Sequence, residues 1–527
     1  MNVCNTRLPR FPLFRSLIGI VIAPLLLLAQ FGYNHPELTW HTIEGEHFTV
    51  HYHEGTEWTA HEALHIAEDI YPAITGVYHY EPSEKTQLII RDTDDYANGG
   101  AYYYDNKIEI WAMPLDYALR GSHYWLRDVL THEFTHIISL RAARKFGRNV
   151  PAAYFQVIQY EPERRDDVLY GYPNGIMSYP LPGVVVPMWW AEGVAQYQSN
   201  AKRYDWWDSI RDMITRDRIF HDEFPSFTEL NSFGKEGVGN EAVYNQGFNL
   251  VHFLSEHWGE EILDRITQRL NSPVNYSFYQ AVMAETGLTK RQLHQMWQDS
   301  LQNTYRALMT DPRRTPVSIV QHEGAANSHP RYAPGDSVLG FISNAGQSYM
   351  SLTGFYLKRG DDEPLLLVPG AEGFDWAPDG ERVVISRKNF WDGGLVVPPA
   401  LRQSDSPGFP GQHHPVNLKH QQNCDRCSFA LTGSRFNDLF IRATHPDSGE
   451  TQITFGERAK NPAWSPDGER IVYVGLQDGT NNLKMAFPGH PDSSITLTKN
   501  ATGNSGFHTP VDGQLPHSFR LCDGVQP

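Results

Sequence analysis

His132-Glu133-Phe134-Thr135-His136 sets two imidazoles four residues apart with a carboxylate beside the first. On an α-helix, positions i and i+4 share a face, so both rings can reach one metal ion while Glu133 stands close enough to work on a water there. The chemistry this supports is metal-assisted hydrolysis. A catalytic zinc takes three protein ligands and leaves a fourth position for water, so the motif asks for one more donor. The bland alternative is a pair of ordinary histidines on an amphipathic helix; the intervening Glu133 favours the metal site.

The element that must carry these residues is a helix. In the stretch from Leu126, the residues Leu126, Leu130, Phe134, Ile137 and Ile138 form one apolar arc, with His132 and His136 on a different side. Arg141, Arg144 and Lys145 crowd the expected last turn, where cations suit the negative end of the helix dipole, and Gly147 follows as a C-terminal cap.

For the third donor, one arrangement is excluded at once. A metzincin would carry Gly and His three and six residues after His136, where this chain has Ser139 and Ala142. The next candidate is Glu192, in Pro187-Met188-Trp189-Trp190-Ala191-Glu192-Gly193-Val194-Ala195-Gln196-Tyr197, which reads as the start of a second helix. The pairing of the first motif with this downstream Trp-x-x-Glu-Gly-x-Ala resembles the gluzincins, the thermolysin and aminopeptidase N-like branch of zinc peptidases. The resemblance implies Zn2+ as cofactor, with His132, His136 and Glu192 as its ligands and Glu133 as general base. The competing reading of Glu192 is a carboxylate complementing a helix N-terminus. The long gap between the two motifs implies an insertion around 148 to 187, rich in Pro, Tyr and Gly.

Two further features follow from the same resemblance. In aminopeptidase N-like enzymes a helical Tyr after the glutamate ligand donates a hydrogen bond to the tetrahedral intermediate, and Tyr244, opening the helical pattern Tyr244-Asn245-Gln246-Gly247, holds the similar position. Packing is the alternative role. Zincin clefts bind substrate backbone along an edge strand before the zinc helix; Ile108 to Ala112 alternates like a strand and is either that edge or an internal one.

Upstream, Trp40 to Tyr52 reads as opening strands, Glu57 to Tyr78 as a helix and Thr86 to Arg91 as a short strand. His47, His51 and His53 are expected as strand-surface residues rather than a second metal cluster. Residues 1–30 carry Arg7, Arg10 and Arg15 and then an apolar run from Leu17 to Ala29, the pattern of a signal peptide. Export to the periplasm or outside a bacterial cell is therefore expected, with membrane attachment only through an uncleaved signal. The formal net charge of -17, with 61 acidic against 44 basic residues, argues against nucleic-acid binding. Cys424 and Cys427 have no second pair at zinc-ribbon spacing, which leaves a local disulfide or two free thiols; Cys522 stands apart.

The last 200 residues or so carry a repeat. Pro330 to Ile342, Phe374 to Ser386 and Pro462 to Val474 share an aromatic, a small residue, Pro, Asp/Gly turn chemistry and then a β run. The phrase resembles the TolB-type β-propeller repeat. Tyr332 and Trp376 lie one period apart and Trp376 and Trp464 two periods, so either a blade has lost its signature or an insertion fills about 389–435. Phe507 to Gly513 reads as an eroded fourth copy, and a closed propeller needs at least four blades. An incomplete propeller is expected, from truncation or completed by a partner.

The expected fold is thus multidomain α+β: a zincin-like peptidase domain at 35–312, mixed β/α and then mainly helical, followed by an all-β propeller region at 316–527. The expected function is an exported zinc metallopeptidase acting on peptide or protein substrates, with the propeller recruiting substrate or an envelope protein partner. The alternative is a non-catalytic envelope binding or scaffold protein working through the propeller, with a relic zincin domain.

Overall fold

The computed structural model describes residues 38–93, 95, 97–115, 124–146, 153–160, 173–181, 186–197, 209–231, 237–309, 317–335, 337–347, 352–390 and 435–499. The expected signal segment, Gly147, Cys424, Cys427, Cys522 and the fourth repeat copy lie outside these residues. The chain is a multidomain α+β protein, with a mixed sheet first, a helical middle and then antiparallel four-stranded sheets resembling propeller blades. Among the described residues no helix is long and apolar enough to cross a membrane.

The first sheet contains β1 (Trp40–Glu44), β2 (Phe48–His53), β3 (Thr86–Arg91), β4 (Gly99–Tyr102) and β5 (Lys107–Trp111), in the order β1-β2-β3-β5-β4. The three central strands run parallel, and β1 and β4 close the edges antiparallel. Parallel neighbours need a crossover, and helix α1 (Glu57–Tyr78) supplies it between β2 and β3. Its Ala60, Ala63, Ala67, Ile70 and Ile74 recur at helical spacing and are buried. Small alanines in the first turns let α1 lie close to the strands, where Val50, Leu88, Ile90, Ile108 and Ile110 are fully buried.

The three strand histidines do not converge. His47 hydrogen-bonds Glu68 at 2.7 Å and stacks on Tyr71, while His51 bonds Gln87 at 2.9 Å. His53 corrects the surface expectation: it is buried, its Nδ1 pairs with the Glu54 carbonyl at 2.9 Å, and its Nε2 accepts the Asp92 amide at 3.1 Å.

Helix α2 (Trp125–Ala142) comes after the sheet. All five residues of its expected apolar arc are buried, and Phe134 packs its ring against Phe48 at 5.0 Å and Tyr71 at 5.6 Å. Between α2 and the next helix, β6 (Ala153–Tyr160) and β7 (Pro173–Leu181) pair as an antiparallel ribbon. The remaining helices are α3 (Met188–Gln196), α4 (Ser209–Phe220), α5 (Gly237–Trp258), α6 (Glu261–Asn271), α7 (Phe278–Thr286) and α8 (Lys290–Met309). Lys145 departs from its expected service to its own helix. It is buried and donates to the carbonyls of Leu270, Ser272 and Asn275, covering the C-terminal end of α6.

Three four-stranded sheets complete the described chain. The first holds β8 (Asn327–Tyr332), β9 (Val338–Ser343), β10 (Gly354–Arg359) and β11 (Leu365–Pro369); the second β12 (Ala371–Trp376), β13 (Arg382–Phe390), β14 (Arg435–Ala443) and β15 (Glu450–Gln452). The third holds β16 (Ala459–Trp464), β17 (Ile471–Gln477), β18 (Thr480–Ala486) and β19 (Ser494–Thr496). Each repeat phrase is the turn between the first two strands of its sheet. Gly380 and Gly468 take φ of +71° and +75°, and the aspartates before them accept the amides of Glu381 and Glu469. One apolar cluster, with Phe355, Phe374 and Trp376, joins the first two sheets; another, with Leu439, Trp464 and Tyr473, joins the second and third. Asp375 ties all three, accepting from Arg331 at 2.6 Å and from the Trp464 amide at 2.8 Å.

Helix α1 starts without a cap of its own, since Thr56 makes no side-chain bond to it. The cap arrives from the β17–β18 turn: Asp478 accepts the Trp58 amide at 2.8 Å and the Thr59 amide at 3.0 Å. Gly479 beside it has φ +67°, and a Cβ there would collide with the Thr59 hydroxyl. A cap of this kind contributes about 1–2 kcal/mol. Asp478→Ala is therefore expected to lower global stability by about that amount in a urea titration; an unchanged midpoint would show that the cap contributes nothing.

Candidate metal centre

The two imidazoles of α2 and the carboxylate of α3 meet at one point. His132 Nε2 and His136 Nε2 are 3.0 Å apart, and Glu192 Oε2 lies 3.1 Å from the first and 3.4 Å from the second. Among the described residues this is the one group of three or more His, Cys, Asp or Glu side chains placed to hold a metal ion. The separations fit such an ion: bonds of about 2.0–2.1 Å at a tetrahedral angle set neighbouring donor atoms roughly 3.3 Å apart. Two nitrogen donors and one carboxylate oxygen form a set that zinc accepts, although the ion's identity does not follow from the geometry.

The electrostatics suit a cation. Burial alone would push the Glu192 carboxyl up, but the charge of His136 and hydrogen bonds from both histidines hold it well below the usual carboxylate range. Burial alone would lower His136, and the nearby carboxylates of Glu192 and Glu133 outweigh it and raise the ring. All three donors are largely buried, so a positive charge at their centre would be weakly screened.

Glu133 stands beside the cluster and outside the donor set. Burial raises its pKa, against the opposing pull of His132 and His136. The backbone of Ala101, on β4, pulls the same way as the two histidines. A Cβ on Gly99 would lie 2.8 Å from Glu133 Oε1 and collide with Val129, so α2 passes β4 at a distance only glycine permits.

This strand settles the question of the edge. Ile108 to Trp111 of that segment belong to β5, which lies inside the sheet between β3 and β4, so among the described residues the edge on this side is β4. Sequence reasoning missed it because Gly99-Gly100-Ala101-Tyr102 is too short and glycine-rich to show strand periodicity. The paired glycines were the available signal, since glycine in a strand marks close backbone approach.

Helix α3 is fixed by its tryptophans. Trp189 is fully buried against Phe227 and Phe278 at ring separations of 5.5 Å, and the Met188 amide is capped by Asn231 at 2.9 Å. At the other end Arg211 donates to Gln196 at 3.1 Å. Its neighbour α5 crosses it at Gly193 and Gly247. A Cβ on Gly193 would overlap the Gly247 carbonyl and come within 2.9 Å of Val251, and one on Gly247 would overlap the Trp189 carbonyl. The crossing sets Tyr244, one turn before Gly247, with its ring 6.0 Å from that of His132. His132, Glu133, His136, Glu192 and Tyr244 thus gather at one place. Gly247 was not singled out from sequence, although glycine inside a helix costs about 1 kcal/mol and so signals a packing reason.

No protein-family model matches the chain, and no curated protein matches it. Among solved structures it is similar to a TolB from Agrobacterium tumefaciens at 14% identity and a TM-score of 0.21, covering 34% of this chain and 50% of that one. It is also similar to an acylaminoacyl peptidase in complex with Z-Gly-Gly-Phe-chloromethyl ketone, at 10% identity and a TM-score of 0.19, over 33% of this chain and 25% of the other. The Pyrococcus horikoshii acylaminoacyl peptidase gives 11% identity and 0.18 over the same shares. The chain therefore spans half or less of each of these proteins, and at such scores the likenesses carry no argument about activity.

Gly247→Ala is expected to cost about 1–3 kcal/mol in stability through overpacking and to weaken any metal binding at the centre by displacing Glu192. Calorimetric titration of zinc into chelator-stripped protein measures this, with Glu192→Ala marking complete loss of the ligand. Wild-type affinity in Gly247→Ala would show that the crossing does not position the donor.

Proposed function

We propose that the chain is an exported zinc metallopeptidase, and that the zincin-like region at 35–312 carries the reaction. The observation that carries this reading is the convergence of His132, His136 and Glu192 within tetrahedral donor spacing, with Glu133 buried beside them. A zinc ion held by those three residues would polarise a substrate carbonyl and lower the pKa of a water.

The residues of the chain then divide the work. Glu133, buried beside the three donors, takes the proton of the attacking water and passes it to the leaving amine. Tyr244, beside the His132 ring, donates its phenolic hydrogen to the oxyanion as charge develops there. The substrate backbone lies along β4 by strand addition, since among the described residues β4 pairs with β5 alone. The propeller region at 316–527 recruits a peptide or protein substrate or an envelope partner. The signal-like segment at 1–30 delivers the chain to the periplasm or the exterior.

Glu133→Gln is expected to keep stoichiometric zinc while hydrolysis of a peptide library falls by about 10²–10⁴-fold; undiminished turnover would sink the general-base role. Chelation of the wild type should abolish hydrolysis and added zinc should restore it. Tyr244→Phe should lower kcat by about 10-fold or more with zinc content unchanged.

A further inference from the structure

The segment leading into β4 is held by the third propeller sheet. After β3 ends at Arg91, Asp92 and Asp95 turn toward Arg458, which precedes β16. Arg458 Nη1 donates to Asp92 Oδ1 at 2.6 Å, and its Nε donates to Asp95 Oδ1 at 2.5 Å. The second oxygen of Asp95 accepts the Asn437 amide of β14 at 2.6 Å. The Asp95 side chain is fully enclosed and that of Arg458 is 8% exposed, so the cluster works in a low dielectric, where removing one partner strands the others. Arg458 also holds φ at +53°, a left-handed conformation disfavoured for a long side chain, which its ion pairs must outweigh.

A few residues past this clamp, the chain enters the strand that holds Glu133. The Asn98 carbonyl accepts the Trp111 amide at 3.1 Å, and its side chain accepts the Gly99 amide at 3.0 Å. Gly99 then packs under Glu133, where a Cβ would lie 2.8 Å from Glu133 Oε1. From Arg458 to Glu133 the path is therefore one ion-pair cluster and a few residues of backbone.

We infer that Arg458 is a positioning residue: through Asp92 and Asp95 the propeller fixes where β4 begins, and so sets the strand edge that receives substrate. This rests on the metallopeptidase reading. The clamp is made in the folded chain without substrate, so β4 stands ready for strand addition, and loosening it adds an ordering cost to substrate binding.

The test uses the full chain with zinc loaded. Arg458→Met keeps length and removes charge; Asp92→Asn is the milder second variant if the first does not fold. Each is expected to raise KM for a cleaved peptide about tenfold, with zinc content unchanged and kcat within about threefold, and Arg458→Lys should recover part of the loss. Asp478→Ala loosens the same junction without touching Asp92 or Asp95, and should leave KM within about twofold. Wild-type KM in the folded Arg458→Met or Asp92→Asn variant would overturn the inference, as would an equal rise in Asp478→Ala. If the wild type cleaves nothing, the metallopeptidase reading fails by itself. Amide exchange at Gly99–Tyr102 then decides the clamp: faster exchange in Arg458→Met supports it, and unchanged exchange overturns it.

Discussion

Two helices that carry unrelated parts of the candidate centre can meet only because each offers a glycine at the crossing. Gly193 and Gly247 bring α3 and α5 to backbone contact, and that distance fixes Glu192 and Tyr244 together against α2. A methyl group at either position would push the helices apart, and a carboxylate moved by an ångström no longer meets two imidazoles at 3.1 and 3.4 Å. The same logic governs the other side of α2. There Gly99 lets β4 pass under Val129 and Glu133, where a Cβ would collide with both side chains. Preorganisation of this kind needs rigid backbone around the donor groups, and the chain obtains it by removing Cβ atoms.

The surrounding core explains why those approaches hold. Trp189 fills the space between Phe227 and Phe278, and Phe134 on the opposite face of α2 fills that between Phe48 and Tyr71. Large rings lock the elements at a distance from the centre, and glycines close the distance at it. Polar side chains finish the ends: Asn231 caps α3, and Lys145 gathers the Leu270 carbonyl of α6 with those of Ser272 and Asn275 just beyond it.

Local features were the ones legible in the sequence. The arc of Leu126, Leu130, Phe134, Ile137 and Ile138 follows helical period, and all five are buried. The strand over Thr86–Arg91, the helix over Glu57–Tyr78 and the Pro-Asp-Gly turns of the repeats also lie where pattern and turn chemistry place them. Contacts that join distant parts of the chain were silent. Lys145 reads as the end of its own helix and serves another, because a lysine chooses among carbonyls by position in space. The edge strand β4 is silent because two glycines hide its period, whereas its neighbour β5 alternates plainly. Arg458 looks like one more surface cation until two aspartates more than 360 residues away enclose it.

The borrowed cap of α1 bears on how the chain is made. The amides of Trp58 and Thr59 wait for a carboxylate some 420 residues downstream. Synthesis at about 5–20 residues per second leaves an interval on the order of tens of seconds before Asp478 leaves the ribosome. Through that interval the first turn of α1 lacks its carboxylate partner. The start of α1 thus gains its carboxylate partner only once the turn of the third four-stranded sheet has been made.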